Sequence, residues 1–127
     1  MTSLDGLSKR EREVLKIVFA LGEGTARDVY ARLDDGTSYS AVRTFLSTLE
    51  AKGRISHRME GQTYLWSPLV DPREEGQSLI ADTMRTFFKG SREETIAALI
   101  DLDESPLSEE EYLRLKALID SARQRGQ

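Results

Sequence analysis

The chain of 127 residues contains no cysteine, a single histidine (His57) and three prolines. Without cysteine there is no disulfide framework and no thiolate metal site. A transition-metal site would have to be assembled from carboxylates around His57, so no metal and no cofactor is expected. A bilayer-spanning helix needs roughly 20 successive apolar residues, and the sequence has no such run. Its opening, "MTSLDGLSKRERE", also lacks the apolar stretch of a secretory signal. A cytoplasmic protein with no membrane partner is therefore expected. Nucleophile-base pairs, metal-ligand sets and glycine-rich phosphate loops are missing too, and no enzymatic activity is expected.

Net charge is small in the first half. Residues 1–68 hold ten Lys or Arg against nine Asp or Glu, net +1, whereas residues 69–127 hold eight against thirteen, net −5, together giving the overall −4. A near-neutral segment still attracts phosphate if its cations share one face, because binding responds to the local field.

What is present is a series of helix starts. Ser8 with Glu11, Ser91 with Glu94 and Ser108 with Glu111 each stand before an apolar run. In that spacing the serine oxygen and the glutamate side chain satisfy backbone donors at a helix N-terminus. Val14, Ile17, Val18 and Leu21 follow Ser8 at helical spacing, "GEGT" stops that helix, and Thr25 caps a short one through Val29, Tyr30 and Leu33. "DDGTS" is a turn in which Gly36 supplies positive φ, and Ser38 caps a third helix. After Gly53 the period falls from 3.6 to 2. "RISHRM" and "QTYLWS" flank Glu60-Gly61 as a β-hairpin, with Tyr64 and Trp66 on one face and expected to pack in the core.

Three helices and a hairpin make a winged helix-turn-helix arrangement. The expected fold is mainly α: a winged helix DNA-binding domain over 1–70, followed by a helical dimerisation domain over 71–127. The third helix, 38–52, has one apolar side of Val42, Phe45, Leu46 and Leu49. Its other side carries Ser40, Arg43, Thr44 and Ser47, an unusual face for a merely solvated helix, where Glu, Lys and Gln are the better helix formers. Short hydroxyls and a forked guanidinium approach phosphates and base edges closely, and Arg43 can bond guanine O6 and N7 together. Lys52, Arg54, Arg58 and Gln62, around the helix end and the wing, are candidates for phosphate contact, as are Tyr39 and the capping Ser38. His57 is read as a wing residue facing solvent or phosphate. Consecutive Glu109, Glu110 and Glu111 point around a helix and suit its dipole rather than a metal.

Beyond "SPLVDPREEG" come three more stripes: Leu79, Ile80, Met84, Phe87 and Phe88; Ile96, Leu99 and Ile100; and Tyr112, Leu115, Leu118, Ile119 and Ala122. Three thin helices enclose little core alone. Pairing with a second copy would cover them and present two recognition helices to a two-fold DNA site.

These residues resemble the penicillinase-repressor family. "LSKREREVLKIVFALGEGTARDVYARL" is similar to its first two helices and "YSAVRTFLSTLEAKGRISHRMEGQTYLWSP" to its recognition helix and wing, with Val42, Thr44, Leu46, Leu49, Lys52 and Gly53 as the best marker. The resemblance implies a homodimeric repressor on a pseudo-palindromic double-stranded operator, often with TACA and TGTA elements. In one branch a sensor protease cleaves the dimerising helices, but the Asn-Phe junction typical there would fall near Ile100 and Asp101, which do not match. The cysteine cluster of the copper-responsive branch is absent. The inducer is thus left open between a sensor protease and a small molecule. Ala41 and Arg43 stand where the family often has Thr and a neutral polar residue, so Ala41 joins the expected DNA face without a hydroxyl and the operator is expected to differ. The rival reading is a winged-helix adaptor that contacts protein and not DNA.

Overall fold

The computed structural model describes residues 3–125. Eight elements follow one another: α1 (Lys9–Leu21), α2 (Ala26–Arg32), α3 (Tyr39–Ala51), β1 (Ile55–Glu60), β2 (Thr63–Pro68), α4 (Pro72–Phe87), α5 (Arg92–Leu102) and α6 (Glu109–Gln124). The chain divides into two compact units, Met1–Thr83 and Met84–Gln127.

The helix starts follow the caps. At α1 the Ser8 hydroxyl accepts from the Glu11 amide at 3.2 Å while the Ser8 amide donates to Glu11 Oε1 at 2.7 Å, the full reciprocal exchange. Thr25 and Asp28 make the same exchange at α2, with aspartate in the usual glutamate position. At Ser91 and Ser108 only the serine half is formed, each hydroxyl accepting from the amide three residues on. α1 ends at Gly22, whose φ of 74° a side chain would resist.

The first unit is built around one core. Leu7, Val14, Leu15, Val18, Val29, Val42, Leu46, Leu49, Ile55 and Trp66 are buried, with Ile17, Leu21, Leu33 and Phe45 packed partly against them. β1 and β2 pair antiparallel, Ile55 opposite Pro68 through Glu60 opposite Thr63. The two-residue loop is therefore Gly61-Gln62, one residue later than the composition suggested. Gly61 takes φ 64° and Gln62 is not among the residues with positive φ, the pattern of a hairpin turn with glycine first. Gly24, just past α1, adds a third short rung: its amide donates to Trp66 O at 3.0 Å and its carbonyl accepts from the Trp66 amide at 2.7 Å.

The N-terminal segment is clasped into this unit. Arg54 Nε donates to Ser3 O at 2.8 Å and its Nη2 to Asp5 O at 2.9 Å, while the Ser3 amide donates to Glu75 Oε1 at 2.8 Å. Glu75 is the buried residue of α4, an otherwise wet helix.

In the second unit the stripes lie open. Phe87, Leu99, Ile100, Leu118 and Ile119 are more than half exposed, and Thr95 is the buried residue among those described. α4 ends on Lys89 and Gly90 in left-handed backbone, Gly90 donating back to Met84 O at 2.9 Å. No helix among the described residues is long and apolar enough to cross a membrane.

Candidate nucleic-acid interface

α3 divides its residues cleanly. Val42, Leu46 and Leu49 are fully buried, and interleaved with them Ser40, Arg43, Thr44 and Ser47 are exposed. The burial fixes the helix on the core and so fixes which way the other side looks. Ser38 accepts from the Ala41 amide at 3.1 Å as the cap. The Thr44 hydroxyl donates to Ser40 O at 3.2 Å, one turn back, leaving its oxygen lone pairs outward. Glu50 is the lone carboxylate of α3 and stands at its far end.

A cleft runs between α3, the start of α2 and the wing. Tyr39, Arg43, Leu46 and Ser47 line it from α3; Gln62, Thr63, Tyr64 and Trp66 from the hairpin; Thr25, Ala26 and Arg27 from α2. Four of the residues expected from the sequence to touch DNA, Tyr39, Arg43, Ser47 and Gln62, are thus brought to one concave surface. Among the described residues, no hydrogen bond or ion pair engages the Arg43 guanidinium. Ser40, Ala41 and Thr44 sit on the same helix outside the cleft lining, with Ala41 half-buried.

The remaining expected cations have partners inside the protein. Lys52 Nζ bonds Glu11 at 2.9 and 3.2 Å and Gly6 O at 3.3 Å, tying the end of α3 to the start of α1. Arg54 holds the N-terminal segment as described. Arg58 grips Glu23 through two bonds of 2.8 and 2.9 Å and approaches Glu60 at 3.5 Å. The Arg58 guanidinium holds the Glu23 carboxyl below the usual carboxylate range, and Glu23 in turn raises Arg58. The Ser8 amide first, then Lys52, hold the Glu11 carboxyl low as well. The Lys52–Glu11, Arg54–Ser3 and Arg58–Glu23 contacts join residues 35 to 51 positions apart, and no local pattern announces them.

Two other readings are corrected by the geometry. His57 is partly exposed but engaged within the protein: its Nδ1 lies 2.6 Å from Glu50 Oε2, and its ring stacks on Tyr64 with centroids 4.3 Å apart and planes 7° from parallel. Tyr64 is 47% exposed and Trp66 6%, so only the second is core. Ile55, His57 and Met59 share the core-side face with their partners Pro68, Trp66 and Tyr64. That face is sealed at the base of the hairpin and opens at its tip.

One functional candidate has no signal in the sequence. Arg27, exposed on α2, lays its guanidinium over the Tyr39 ring, 4.8 Å from the centroid, and Tyr30 meets the same ring edge-on at 5.8 Å. Arg27 precedes Tyr39 by a helix and a turn, so nothing in the spacing pairs them.

A three-helix core with α3 exposed along one side and a two-stranded wing beside it defines a winged-helix protein. The chain belongs to the penicillinase repressor family, whose profile matches residues 7–121. It is 22% identical over 127 residues to the penicillinase repressor of Bacillus licheniformis, covering 98% of both chains. It is also 26% identical over 115 residues to an uncharacterized 16.5 kDa protein of Latilactobacillus sakei, covering 89% of this chain and 77% of that one. Among solved structures it is similar to a possible transcriptional regulator for arsenical resistance (TM-score 0.48, 19% identity, 66% of this chain and 85% of that chain). A second similar structure is BpsR of Bordetella bronchiseptica (TM-score 0.47, 15% identity, 91% of this chain and 75% of that chain).

Proposed function

We propose that the protein is a homodimeric transcriptional repressor, acting in the cytoplasm, that inserts α3 into the major groove of a pseudo-palindromic operator. The observation that carries the reading is the exposed side of α3: Ser40, Arg43, Thr44 and Ser47 outward, no carboxylate before Glu50, and Arg43 unpaired beside the wing tip. Arg43 reads a base edge, since a guanidinium spans guanine O6 and N7. Ser40, Thr44 and Ser47, with Ser38 at the cap, offer hydroxyls to phosphates or bases, and the Gln62 side chain extends the contact from the wing.

Dimerisation rests on the helices that follow the wing. Leu79 and Ile80 of α4 and the exposed Phe87, Ile96, Leu99, Ile100, Leu115, Leu118 and Ile119 provide more apolar surface than scattered single residues account for, with Met84 and Phe88 half-buried. A second copy supplies the matching stripe by symmetry and so doubles the DNA-reading helix. Release from the operator then follows from whatever disturbs that pairing, either cleavage by a sensor protease or a small molecule between the helices.

The test is a mobility shift of the purified protein on random-sequence duplex at low salt, followed by selection of bound fragments from the genome of the source organism. A repressor shifts random duplex weakly and returns fragments with two half-sites in inverted repeat. Absence of any shift at low salt overturns the reading in favour of a protein-contacting winged helix.

A further inference from the structure

We propose that Arg27 is a phosphate clamp at the edge of this interface, held ready by Tyr39; the inference rests on the DNA-binding reading above. Three observations carry it. The guanidinium carbon lies over the Tyr39 ring, 4.8 Å from its centroid, and that ring is itself braced edge-on by Tyr30 at 5.8 Å. Arg27 lines the same cleft as Arg43 and Gln62. Among the described residues no carboxylate pairs with it, and its neighbour Asp28 is engaged by the Thr25 amide at 2.9 Å.

That placement has a specific chemical consequence. A guanidinium held over an aromatic face loses access on the side of the ring but keeps N–H donors directed away from it. The planar fork therefore stays available for phosphate oxygens, and the side chain gives up less rotational freedom on binding than a solvated arginine does. Cation-π attraction at a partly exposed site suffices to bias the rotamer without competing with an anion. Arg43, by contrast, has no such support and extends from the middle of α3, where a base reader belongs. The cleft thus contains two guanidiniums of different kind: one pre-set at its rim for the backbone, and one free to search base edges. Tyr39 is a positioning residue here, acting through Arg27.

The experiment measures affinity of the full-length protein for a mixed-sequence duplex across a salt series, comparing wild type with Arg27→Ala, Arg27→Lys, Tyr39→Phe and Tyr39→Leu. Arg27→Ala should lower the slope of log affinity against log salt by about 0.9 for each protomer bound, as expected when one phosphate fewer is neutralised. Arg27→Lys should keep most of the slope yet bind more weakly at every salt concentration, because an ammonium lacks the planar fork. Tyr39→Phe, which keeps the ring, should preserve the slope difference between the arginine and alanine proteins at position 27, whatever the lost hydroxyl itself costs. Tyr39→Leu should weaken binding of the arginine protein but add nothing in an Arg27→Ala background. Thermal melting checks that each variant is folded, and Arg27→Ala, exposed on α2, serves if Tyr39→Leu is not. An unchanged slope in Arg27→Ala, or equal binding by Arg27→Lys and wild type, overturns the clamp while wild-type binding keeps the DNA-binding reading standing. Failure of wild type to bind at low salt overturns both.

Discussion

The two units of this chain carry apolar stripes of the same helical period and do opposite things with them. In the first, Val14, Val18, Val42, Leu46 and Leu49 are at most 1% exposed, while in the second Leu118 is 66% and Phe87 75% exposed. Period alone tells which side of a helix is apolar. What covers that side depends on whether enough other chain is available, and three helices supply too little to enclose themselves. The contrast teaches that a covered stripe reports on the fold, whereas a bare one is where the proposed pairing with a second copy must be tested.

The largest effect that would sharpen this contrast comes from the first unit. Leu46→Ala should cost about 2–5 kcal/mol in chemical denaturation, independent of protein concentration, because it hollows a closed core. Leu118→Asp should leave that transition in place and convert the proposed dimer to a monomer in sedimentation. A dimer untouched by Leu118→Asp would break the comparison. Next in size, Arg43→Ala should cost about 1–3 kcal/mol of binding to the selected operator and relax preference at one base position. Equal weakening on random duplex would instead make Arg43 a phosphate contact.

Smaller effects test the caps. Ser8→Ala removes the hydroxyl from a complete reciprocal exchange and should destabilise the winged unit by about 1 kcal/mol, read as a fall in melting temperature. Ser108→Ala, where only the serine half exists, should cost less. The smallest effect is one of pH. Since the Ser8 amide and Lys52 lower the folded-state pKa of Glu11, its stabilisation is fully present above the ordinary carboxylate range and is lost as pH falls through the folded value. Glu11→Gln should therefore flatten the decline in stability on acidification below about pH 5 and lower stability near neutrality. A parallel acid limb in both proteins would remove Glu11 from the account.

Local signals explain most of what the sequence allowed to be read. The caps at Ser8, Thr25, Ser38, Ser91 and Ser108 all formed, the hairpin followed the change of period, and the two sides of α3 separated as their residue types implied. Distant pairings were not readable. The Gly24 rung on Trp66 is one residue long and has no period to detect; its only trace is a glycine where a Cβ would press to 2.9 Å on Leu21 Cδ1. Lys52, Arg54 and Arg58 look like free cations in sequence, because the carboxylates and carbonyls that hold them lie far along the chain. His57 acquired Glu50, and Arg27 acquired Tyr39, in the same way. Residue type predicted the chemistry of each group and tertiary packing selected its partner.

The interleaving along α3 has a practical consequence. Because the anchoring side chains at 42, 46 and 49 alternate with outward ones at 40, 43, 44 and 47, the second set can be rewritten while the first keeps the scaffold intact. On the proposed reading those four positions are an exchangeable reading head, on which combinatorial libraries could be screened for new target sequences without rebuilding the body that carries it.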